Sequence, residues 1–460
     1  MTEINKETLS NTEYEFSRDE SILKIVKYID NNDQTKLNIY ISELHNADIA
    51  DILQNLDPDL RTTLVKNISI NFDPEILTYL NDSLRDELVE ILDIKQLASN
   101  AKTMDVDDAL DIVEDLEDSD QVTFLENIEE EDRKLIQEGL KYPEDSAGRL
   151  MQRNVVALDN QWNVGQAIDY LRTNKKTLPE DFYEIYLINR SNKVLGTVPL
   201  GRLMGSKREI KLNEIKNSKI RTIEAKMDQE EVAYLFNKYG LVSAPVIDEN
   251  KILLGSITVD DVVEVIEEER EEDILKLGGV GQTDLYNAVI DTTKSRFSWL
   301  FLNLLTALVA SIVIGLFQAS IEKVVALAVL MPIVASMGGN AGTQTLTVAV
   351  RALAVKELTP SNAIKIVFKE TFIGSINGII FAIIISLVSI YWFENTLLGL
   401  IIGLAMIINL VVAGFAGIII PLTLVKIKID PALASGVILT TITDVLGFLS
   451  FLGLATLFLI

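Results

Sequence analysis

The chain has 460 residues and a net charge of −26 at pH 7, with no cysteine and one histidine. These counts exclude disulfides, thiolate sites and a conventional zinc site, so any bound metal ion must be held by oxygen ligands. Only 8 of the 41 basic and 6 of the 67 acidic residues lie from Arg296 onward, which leaves 33 and 61 in residues 1–295. An acidic soluble half therefore precedes an apolar half, and its field attracts cations and repels nucleic acid.

The N-terminal region is predicted to be helical. Residues 1–19 are polar and lack the apolar core of a signal peptide, so we expect a flexible start and a cytoplasmic N-terminal half. From residue 20 to 142 apolar side chains recur at helical spacing. Two Asp-Pro pairs, at positions 57–58 and 73–74, have the pattern of helix starts, with Asp as N-cap and Pro at the first helical position. Short helices of this kind predict an α-helical superhelix over residues 20–142.

Three carboxylates are spaced along one predicted helix near the end of this region. Asp107, Asp111 and Asp115 follow each other at intervals of four, so they share one helix face and repel each other. Two interpretations are open at this point. The face is either solvated by water, or a bound cation offsets the repulsion.

Residues 148–268 change to alternating strand and helix patterns and contain an internal repeat. A strand, turn, strand and helix around Gly196 recur around Gly255, each copy preceded by an amphipathic helix. This arrangement resembles a tandem pair of CBS domains, over residues 148–207 and 208–268.

The CBS resemblance implies a place for an adenine nucleotide. In that family a Gly, a Ser or Thr and an Asp bind ribose and phosphate. The second repeat keeps this pattern as Gly255, Thr258 and Asp261, whereas the first has Pro199 and Arg202 at the matching positions. The resemblance therefore implies at most one site for ATP, with Thr258 and Asp261 as its ligands.

Residues 269–295 are predicted to form a connecting helix, strongly acidic at first. Such a helix either transmits motion from the soluble half or serves as a passive spacer.

The last part of the chain, residues 296–460, is predicted to cross a membrane five times. Each of five apolar stretches reaches the ~20 residues that a bilayer requires. With the N-terminus inside, eight basic residues flank the cytosolic ends of these stretches and only Lys323 lies outside, which agrees with the positive-inside rule and places the C-terminus outside. The predicted spans are 297–321, 324–350, 371–393, 395–425 and 431–460.

Asp444 is the only charged residue in the last span. A carboxylate at the middle of a bilayer costs roughly 2.5–3.5 kcal/mol on insertion scales, so it is rarely kept without a partner or a function. Thr440, Thr441 and Thr443 add hydroxyl oxygens beside it, and an anionic, oxygen-rich position suits a hard cation. The alternative is an Asp that caps, kinks or pairs with a neighbouring helix.

The second span contains Gly338, Gly339, Asn340, Gly342 and Gln344 in close succession. We expect these residues to loosen the helix, and irregular backbone at membrane depth is tolerated only where it is buried or lines water. Backbone carbonyls and the Asn340 amide would then face the same path as Asp444. The alternative is close helix packing through small residues.

Taken together, these features resemble the MgtE family of magnesium transporters. The resemblance rests on the acidic helical region, the CBS pair, the connecting helix and two membrane motifs, one from Pro332 to Gln344 and one from Asp430 to Gly447. It implies a homodimer in the cell membrane, in contact with lipid, that takes up Mg²⁺ and is not an enzyme. It also implies that Asp444, with Asn340 nearby, binds hydrated Mg²⁺ at the pore.

The family resemblance further implies that cytosolic Mg²⁺ closes the pore by binding acidic residues of the soluble half. The implied sensor ligands are Asp107, Asp111, Asp228, Glu230, Asp261, Glu269, Glu272, Asp273 and Asp430. The alternatives are a transporter of broader divalent specificity that also takes Co²⁺ or Mn²⁺, a membrane enzyme that uses Mg²⁺ to bind a lipid diphosphate, and a nucleotide-sensing CBS protein that is merely anchored in the membrane.

Overall fold

The computed structural model describes residues 17–101, 104–179, 182–280 and 289–459, so the predicted flexible start lies outside it except for its last three residues. The chain divides into two compact units, Met1–Ile266 and Glu267–Ile460. Each unit has its own apolar cores.

The first unit begins with a series of short helices whose apolar faces meet in one core around the fully buried Phe72 and Phe124. Several begin at a side chain that accepts a backbone N–H of the first turn, as Asp57 and Asn81 do. The helices are α1 (Arg18–Asp30), α2 (Gln34–Ser42), α3 (Asn46–Asn55), α4 (Pro58–Ile68), α5 (Asp82–Ile91), α6 (Ile94–Asn100), α7 (Val106–Asp115), α8 (Asp118–Asn127) and α9 (Glu130–Gly139). The predicted helical character is confirmed, although the second Asp-Pro pair starts a 3₁₀-helix, Pro74–Leu77, and not an α-helix.

Two small sheets of equal topology follow, as the internal repeat predicts. In each, the first strand pairs parallel with the second and the second pairs antiparallel with the third. Helix α10 (Ala147–Leu150) packs in the core of the second repeat. The first repeat contains β1 (Ala157–Asp159), α11 (Val164–Thr173), β2 (Glu184–Ile188), β3 (Val194–Pro199), α12 (Leu200–Gly205) and, beyond its predicted end at residue 207, α13 (Leu212–Ile215). The second contains β4 (Ile223–Glu224), α14 (Gln229–Tyr239), β5 (Ser243–Ile247), β6 (Leu253–Thr258) and the start of α15 (Val259–Leu277).

The two repeat glycines have equivalent roles in β3 and β6. A Cβ on Gly196 would lie 2.7 Å from the Asn217 carbonyl oxygen, and one on Gly255 would lie 2.5 Å from the Gln152 carbonyl oxygen. Each glycine therefore lets another segment of backbone approach the edge of its sheet. The close approach explains why both copies of the repeat keep a glycine here.

Helix α15 corrects the predicted connecting helix. It starts at Val259, directly after β6, so the last CBS helix and the connecting helix are one. It ends at Leu277 and not at residue 295, because Gly279 adopts a left-handed φ of +74° and the backbone N–H of Val280 bonds back to the Leu275 carbonyl. Residues 281–288 of the predicted helix lie outside the described residues.

The second unit contains, among the described residues, five helices long and apolar enough to cross a membrane. The predicted number is confirmed. The first predicted span ends earlier than expected, at Gly315, and a short separate helix follows it. The helices are α16 (Val289–Gly315), α17 (Gln318–Lys323), α18 (Ala326–Ala354), α19 (Ala363–Phe393), α20 (Thr396–Lys426) and α21 (Pro431–Phe458).

The expectation of a loosened second span is wrong. Helix α18 is unbroken through its glycines. A Cβ on Gly338 would lie 2.2 Å from the Asn409 amide nitrogen of α20, and one on Gly342 would lie 2.9 Å from the Leu439 side chain of α21. Gly338 and Gly342 therefore serve close packing between helices, which was the alternative interpretation, whereas a Cβ on Gly339 would have nothing within 4 Å.

Candidate functional site

The acidic face of α7 meets the start of α15 within the first unit. Asp107 is 8% exposed, and its charge interacts with those of Asp261, Asp108 and Asp105. The Asp261 carboxylate is held in place by Thr258, whose hydroxyl and backbone N–H donate to one of its oxygens at 2.8 and 3.2 Å. Carboxylates from two helices therefore lie close enough to interact electrostatically, and no basic residue is among the groups that shift the pKa values of Asp107 and Asp261 most.

The electrostatics of this cluster disfavour its ionised form. Burial, with the neighbouring charges of Asp261, Asp108 and Asp105, raises the pKa of Asp107 well above its ordinary value. Burial and then the charges of Asp105 and Asp111 raise the pKa of Asp108 to about 8. Burial also raises the pKa of Asp261 to about 6, against the hydrogen bonds from Thr258. Ionised carboxylates in this position need a compensating cation.

One oxygen of the cluster has no partner. Asp107 Oδ1 is buried and accepts no hydrogen bond within the described part of the chain. No three acidic or histidine side chains among the described residues, however, already lie in the arrangement of a metal site. Mg²⁺ retains several waters and often takes only one or two carboxylates directly, so the donor chemistry fits this ion without a complete protein cage.

The remaining predicted sensor residues of the first unit differ in whether they interact with this cluster. The charge of Asp111 helps to raise the pKa of Asp108. Asp228 instead caps α14, accepting the Glu230 backbone N–H at 2.9 Å, and pairs through its backbone with Ser146. Asp107 and Asp261 therefore interact electrostatically, whereas Asp228 is not among the charges that shift the pKa of either residue most.

A small cleft of about 20 Å³, roughly the space that one water molecule needs, lies between the two CBS repeats. Thr258, the last residue of β6, lines it, and Asp261 lies in the first turn of α15, which follows directly. The described lining residues include no Lys or Arg, but they include aromatic rings on which a base can stack. They are Gln152, Asn154, Val155, Val156, Pro179, Phe182, Tyr183, Glu184, Tyr186, Ser243, Ser256 and Thr258.

In the second unit, the side chain of Lys276 lies between two of the predicted sensor residues. Lys276 Nζ lies 2.5 Å from a Glu272 oxygen and 2.7 Å from Asp430 Oδ2. Asp430 Oδ1 caps α21 by accepting the Ala432 N–H at 2.8 Å. Burial and then the charge of Asp430 raise the pKa of Asp273. Burial acts to lower the pKa of Lys276, but its hydrogen bonds to Asp430 and Glu272 outweigh this and raise it.

The sequence analysis missed Lys276. Its spacing of four from Glu272 on one helix was visible, but its bridge to Asp430 joins segments far apart in the chain. Leu277, the next residue, packs with the apolar cluster of α18, α20 and α21 that includes Leu346 and Leu439. The end of α15 therefore contacts the bundle through one ammonium group and one apolar side chain. Glu269, the other predicted ligand on this helix, is partly buried and lies one turn before Asp273.

Asp444 lies in the middle of α21 and is partly buried. Within the described residues its carboxylate takes part in no hydrogen bond or ion pair, so the capping and pairing alternatives have no support there. The hydroxyls of Thr440, Thr441 and Thr443 donate to carbonyls of their own helix, which leaves oxygen lone pairs available as acceptors.

Asn340 lies on the exposed side of α18, and its amide is 3.4 Å from the Ser336 hydroxyl. The buried side of the same helix contains Val334, Gly338, Gly342 and Thr345. Asn340 therefore points away from the helices against which α18 packs in this chain. No hydrogen bond joins it to Asp444 within the described residues.

Asn409 is a second polar residue that the sequence analysis missed. It is the one amide side chain of the 31-residue helix α20, and it is fully buried. Its Nδ2 donates to the Val334 carbonyl of α18 at 2.8 Å. A lone amide in so apolar a helix was a signal that could have been used.

Comparison with known proteins gives matches along most of the chain. Residues 44–145 match the model of the MgtE intracellular N domain, residues 212–268 that of the CBS domain, and residues 331–454 that of the MgtE divalent cation transporter. The magnesium transporter MgtE of Bacillus subtilis is 29% identical over 442 residues, 96% of this chain and 98% of that protein. The magnesium transporter MgtE of Enterococcus faecalis is 31% identical over 324 residues, 70% of this chain and 71% of that protein.

Solved structures similar to the soluble half include the soluble part of a magnesium transporter, 23% identical with a TM-score of 0.47, which covers 55% of this chain and 99% of that one. Another is the cytosolic domain of the Mg²⁺ channel MgtE in complex with ATP, 24% identical with a TM-score of 0.48, which covers 53% of this chain and 99% of that one.

Proposed function

This chain belongs to the MgtE family of magnesium transporters, a family of transporters and not of enzymes, and on that premise we propose that it takes up Mg²⁺ through a homodimeric pore in the cell membrane. Residues 296–460 form the pore and the C-terminus lies outside. The superhelix over residues 20–142, the CBS repeats over 148–207 and 208–268 and the helix from residue 269 lie in the cytoplasm and sense Mg²⁺.

The observation that carries the transport proposal is the Asp444 carboxylate, without a described partner in the middle of an otherwise uncharged span. A two-fold axis beside α21 would bring two such carboxylates together, one from each chain. Two negative charges in an apolar setting attract a divalent cation, and Mg²⁺ releases its waters reluctantly, so we propose that it binds there hydrated. Asn340, on the exposed side of α18, adds an amide oxygen to this path.

The direct test is Mg²⁺ uptake by purified protein in liposomes, with a fluorescent Mg²⁺ indicator inside. Parallel measurements with Mn²⁺ and Co²⁺ distinguish a Mg²⁺-selective pore from one of broader divalent specificity. We expect uptake that depends on the protein and favours Mg²⁺. Liposomes that take up no divalent cation would contradict the proposal and favour the membrane-anchored sensor.

Regulation by cytosolic Mg²⁺ is supported by the cluster of Asp107, Asp108 and Asp261. Two like charges about 4 Å apart cost about 1–4 kcal/mol between water-like and surface dielectrics. A divalent ion between the α7 face and Asp261 converts this repulsion into attraction. Ions that bind only the compact state add their free energies, so modest individual affinities produce a steep response. We propose that Asp111, Asp228 and Glu230 contribute to this binding as the domain closes.

Helix α15 connects sensing with the pore in this proposal. Asp261 lies in its first turn, and Glu269, Glu272 and Asp273 lie in its second half, so one continuous helix carries both groups. A rigid helix transmits a shift at one end to the other. We propose that Mg²⁺ at the acidic second half, together with Asp430, holds α15 where it closes the cytosolic end of the pore.

Lys276 gives a specific prediction for this gate. Both oxygens of Asp430 are engaged, one by Lys276 and one by the cap of α21, so Mg²⁺ must compete with the ammonium group. We expect Lys276→Met to lower the internal Mg²⁺ concentration that half-inhibits uptake by roughly threefold to tenfold, since it removes one positive charge from a partly screened site. Uptake into liposomes loaded with graded Mg²⁺ measures this shift.

Arg270→Met is the matched control for Lys276→Met. Arg270 is an exposed basic residue of the same helix, 3.5 Å from Glu267, and it is not in contact with Asp430. The control should leave the half-inhibitory concentration within about twofold of the wild type. A rise in that concentration for Lys276→Met would mean that the lysine stabilises the closed gate and does not compete with Mg²⁺.

We also propose that ATP binds in the cleft between the CBS repeats. Phe182 and Tyr183 offer surfaces for the adenine ring, and Thr258 offers a polar group for ribose. Asp261, which accepts a hydrogen bond from the Thr258 hydroxyl, would reach the ribose once the cleft widens around the nucleotide. Because the described lining includes no Lys or Arg, we propose that the phosphates lie toward the opening, where Mg²⁺ or solvent neutralises them. ATP would stabilise the paired repeats from which α15 begins.

Thr258→Val and Asp261→Ala test this site. Each removes a hydrogen-bonding group worth about 1 kcal/mol, so we expect ATP affinity to fall about fivefold to tenfold in calorimetry on the full-length protein at constant Mg²⁺. Arg202→Ala, at the matching position of the first repeat, should bind ATP as the wild type does. Equal affinities in all four proteins would contradict the proposal that ATP binds in this cleft.

A further inference from the structure

Asn409 joins three membrane helices through one buried amide. Its side chain is fully buried in the middle of α20, and its Nδ2 donates to the Val334 carbonyl of α18 at 2.8 Å. Its Oδ1 is buried and accepts no hydrogen bond within the described residues. An amide oxygen left unpaired in an apolar interior costs free energy that an apolar side chain of similar size would not cost.

Glycines on two other helices make room for this amide. A Cβ on Gly338 of α18 would lie 2.2 Å from Asn409 Nδ2, and a Cβ on Gly447 of α21 would lie 2.8 Å from the same atom. Both distances are far inside van der Waals contact. The size of the amide therefore limits how closely α18 and α21 approach α20 around Asn409.

The two helices that meet at Asn409 are those that contain the proposed ion-binding residues. Gly447 follows Asp444 by three positions, so both lie on the same side of α21 and about one turn apart. Gly338 precedes Asn340 by two positions on α18. A change in the size or polarity of residue 409 must therefore move Asp444 and Asn340 relative to each other.

We propose that Asn409 is a positioning residue for ion conduction, because it holds α18 and α21 at the separation that the ion path requires without contacting the ion. This inference rests on the proposed transport function. The hydrogen bond to Val334 fixes the amide, and the two glycines transfer its position to the helices of Asn340 and Asp444.

Selectivity distinguishes positioning from simple packing. A variant that only weakens the fold lowers the amount of active protein and reduces all fluxes in the same proportion. A variant that changes helix separation alters the ratio of Mg²⁺ to Ca²⁺ flux, because the two ions differ in size and in how firmly they keep their waters. The ratio is therefore the informative readout.

The experiment measures Mg²⁺ and Ca²⁺ uptake by full-length wild type, Asn409→Leu and Asn409→Asp at equal protein per liposome. We expect Asn409→Leu to change the flux ratio at least threefold. In Asn409→Asp, flux should fall as pH rises, because a protonated carboxyl can donate to Val334 and a carboxylate cannot. Ser389→Ala is the control, since Ser389 Oγ is also buried without a hydrogen-bond partner in the described residues but lies on α19.

An unchanged ratio in Asn409→Leu, together with a pH profile in Asn409→Asp like that of the wild type, would overturn the proposal. If Asn409→Leu cannot be reconstituted, Gly447→Ala replaces it, and an unchanged ratio there would overturn the proposal equally. A wild type without Mg²⁺ uptake would instead refute the transport function itself, so the two failures are distinguishable.

Discussion

Asp444→Asn should lose at least nine-tenths of Mg²⁺ uptake while the protein still folds. The amide keeps the shape of the side chain and removes the charge that attracts the ion, and in a dimer both copies change at once. Two unit charges acting at about 5 Å contribute several kcal/mol at an effective dielectric of about 20, which makes a tenfold loss a conservative expectation. The measurement is Mg²⁺ influx into liposomes at equal amounts of reconstituted protein.

Glu322→Gln is the matched control for this prediction. Glu322 is another carboxylate of the second unit, on the short helix α17, where it accepts a hydrogen bond from Gln318 at 2.9 Å. Its neutralisation removes the same charge from the protein but leaves α21 unchanged, so uptake should stay near that of the wild type. Wild-type uptake in Asp444→Asn would show that the ion does not bind at this position.

Neutralisation of Asp107, Asp111 and Asp261 together, each to Asn, should abolish the inhibition of uptake by internal Mg²⁺. The variant retains the polar surface but loses the carboxylates that a divalent ion would bridge, so the half-inhibitory Mg²⁺ concentration should rise at least tenfold. Because burial raises the pKa of Asp107 and Asp261, their ionised forms are unfavourable without a cation. Mg²⁺ should accordingly protect residues 1–266 from protease in the wild type and not in the variant.

The control for the triple variant removes three carboxylates of the same region that are exposed. Glu117→Gln, Asp118→Asn and Glu129→Gln, at the starts of α8 and α9, change the net charge by the same amount. Loss of inhibition in the control as well would assign the effect to net charge alone. Unchanged inhibition in the triple variant would mean that the acidic cluster only solubilises the domain, while the pore proposal would stand.

Much of the architecture could be predicted from local patterns in the sequence. Helical spacing in the first 142 residues, the repeat around Gly196 and Gly255 and five bilayer-length apolar stretches each depend on residues close together in the chain. Such patterns determine which segments are helices, strands or spans, because backbone hydrogen bonding and the burial of one face are decided mainly by neighbours in sequence. The division into an acidic half and an apolar half is likewise a property of composition.

Contacts between distant segments were decided only by the tertiary structure. The glycines of α18 predicted a broken helix, but Asn409 and Leu439 occupy the space that they leave, and the helix continues. Lys276 reaches Asp430, and Asp107 meets Asp261 while Asp228 caps its own helix. In each case the outcome depends on which side chain from another element arrives at the same place, and that is set by packing in three dimensions and not by any periodicity along the chain.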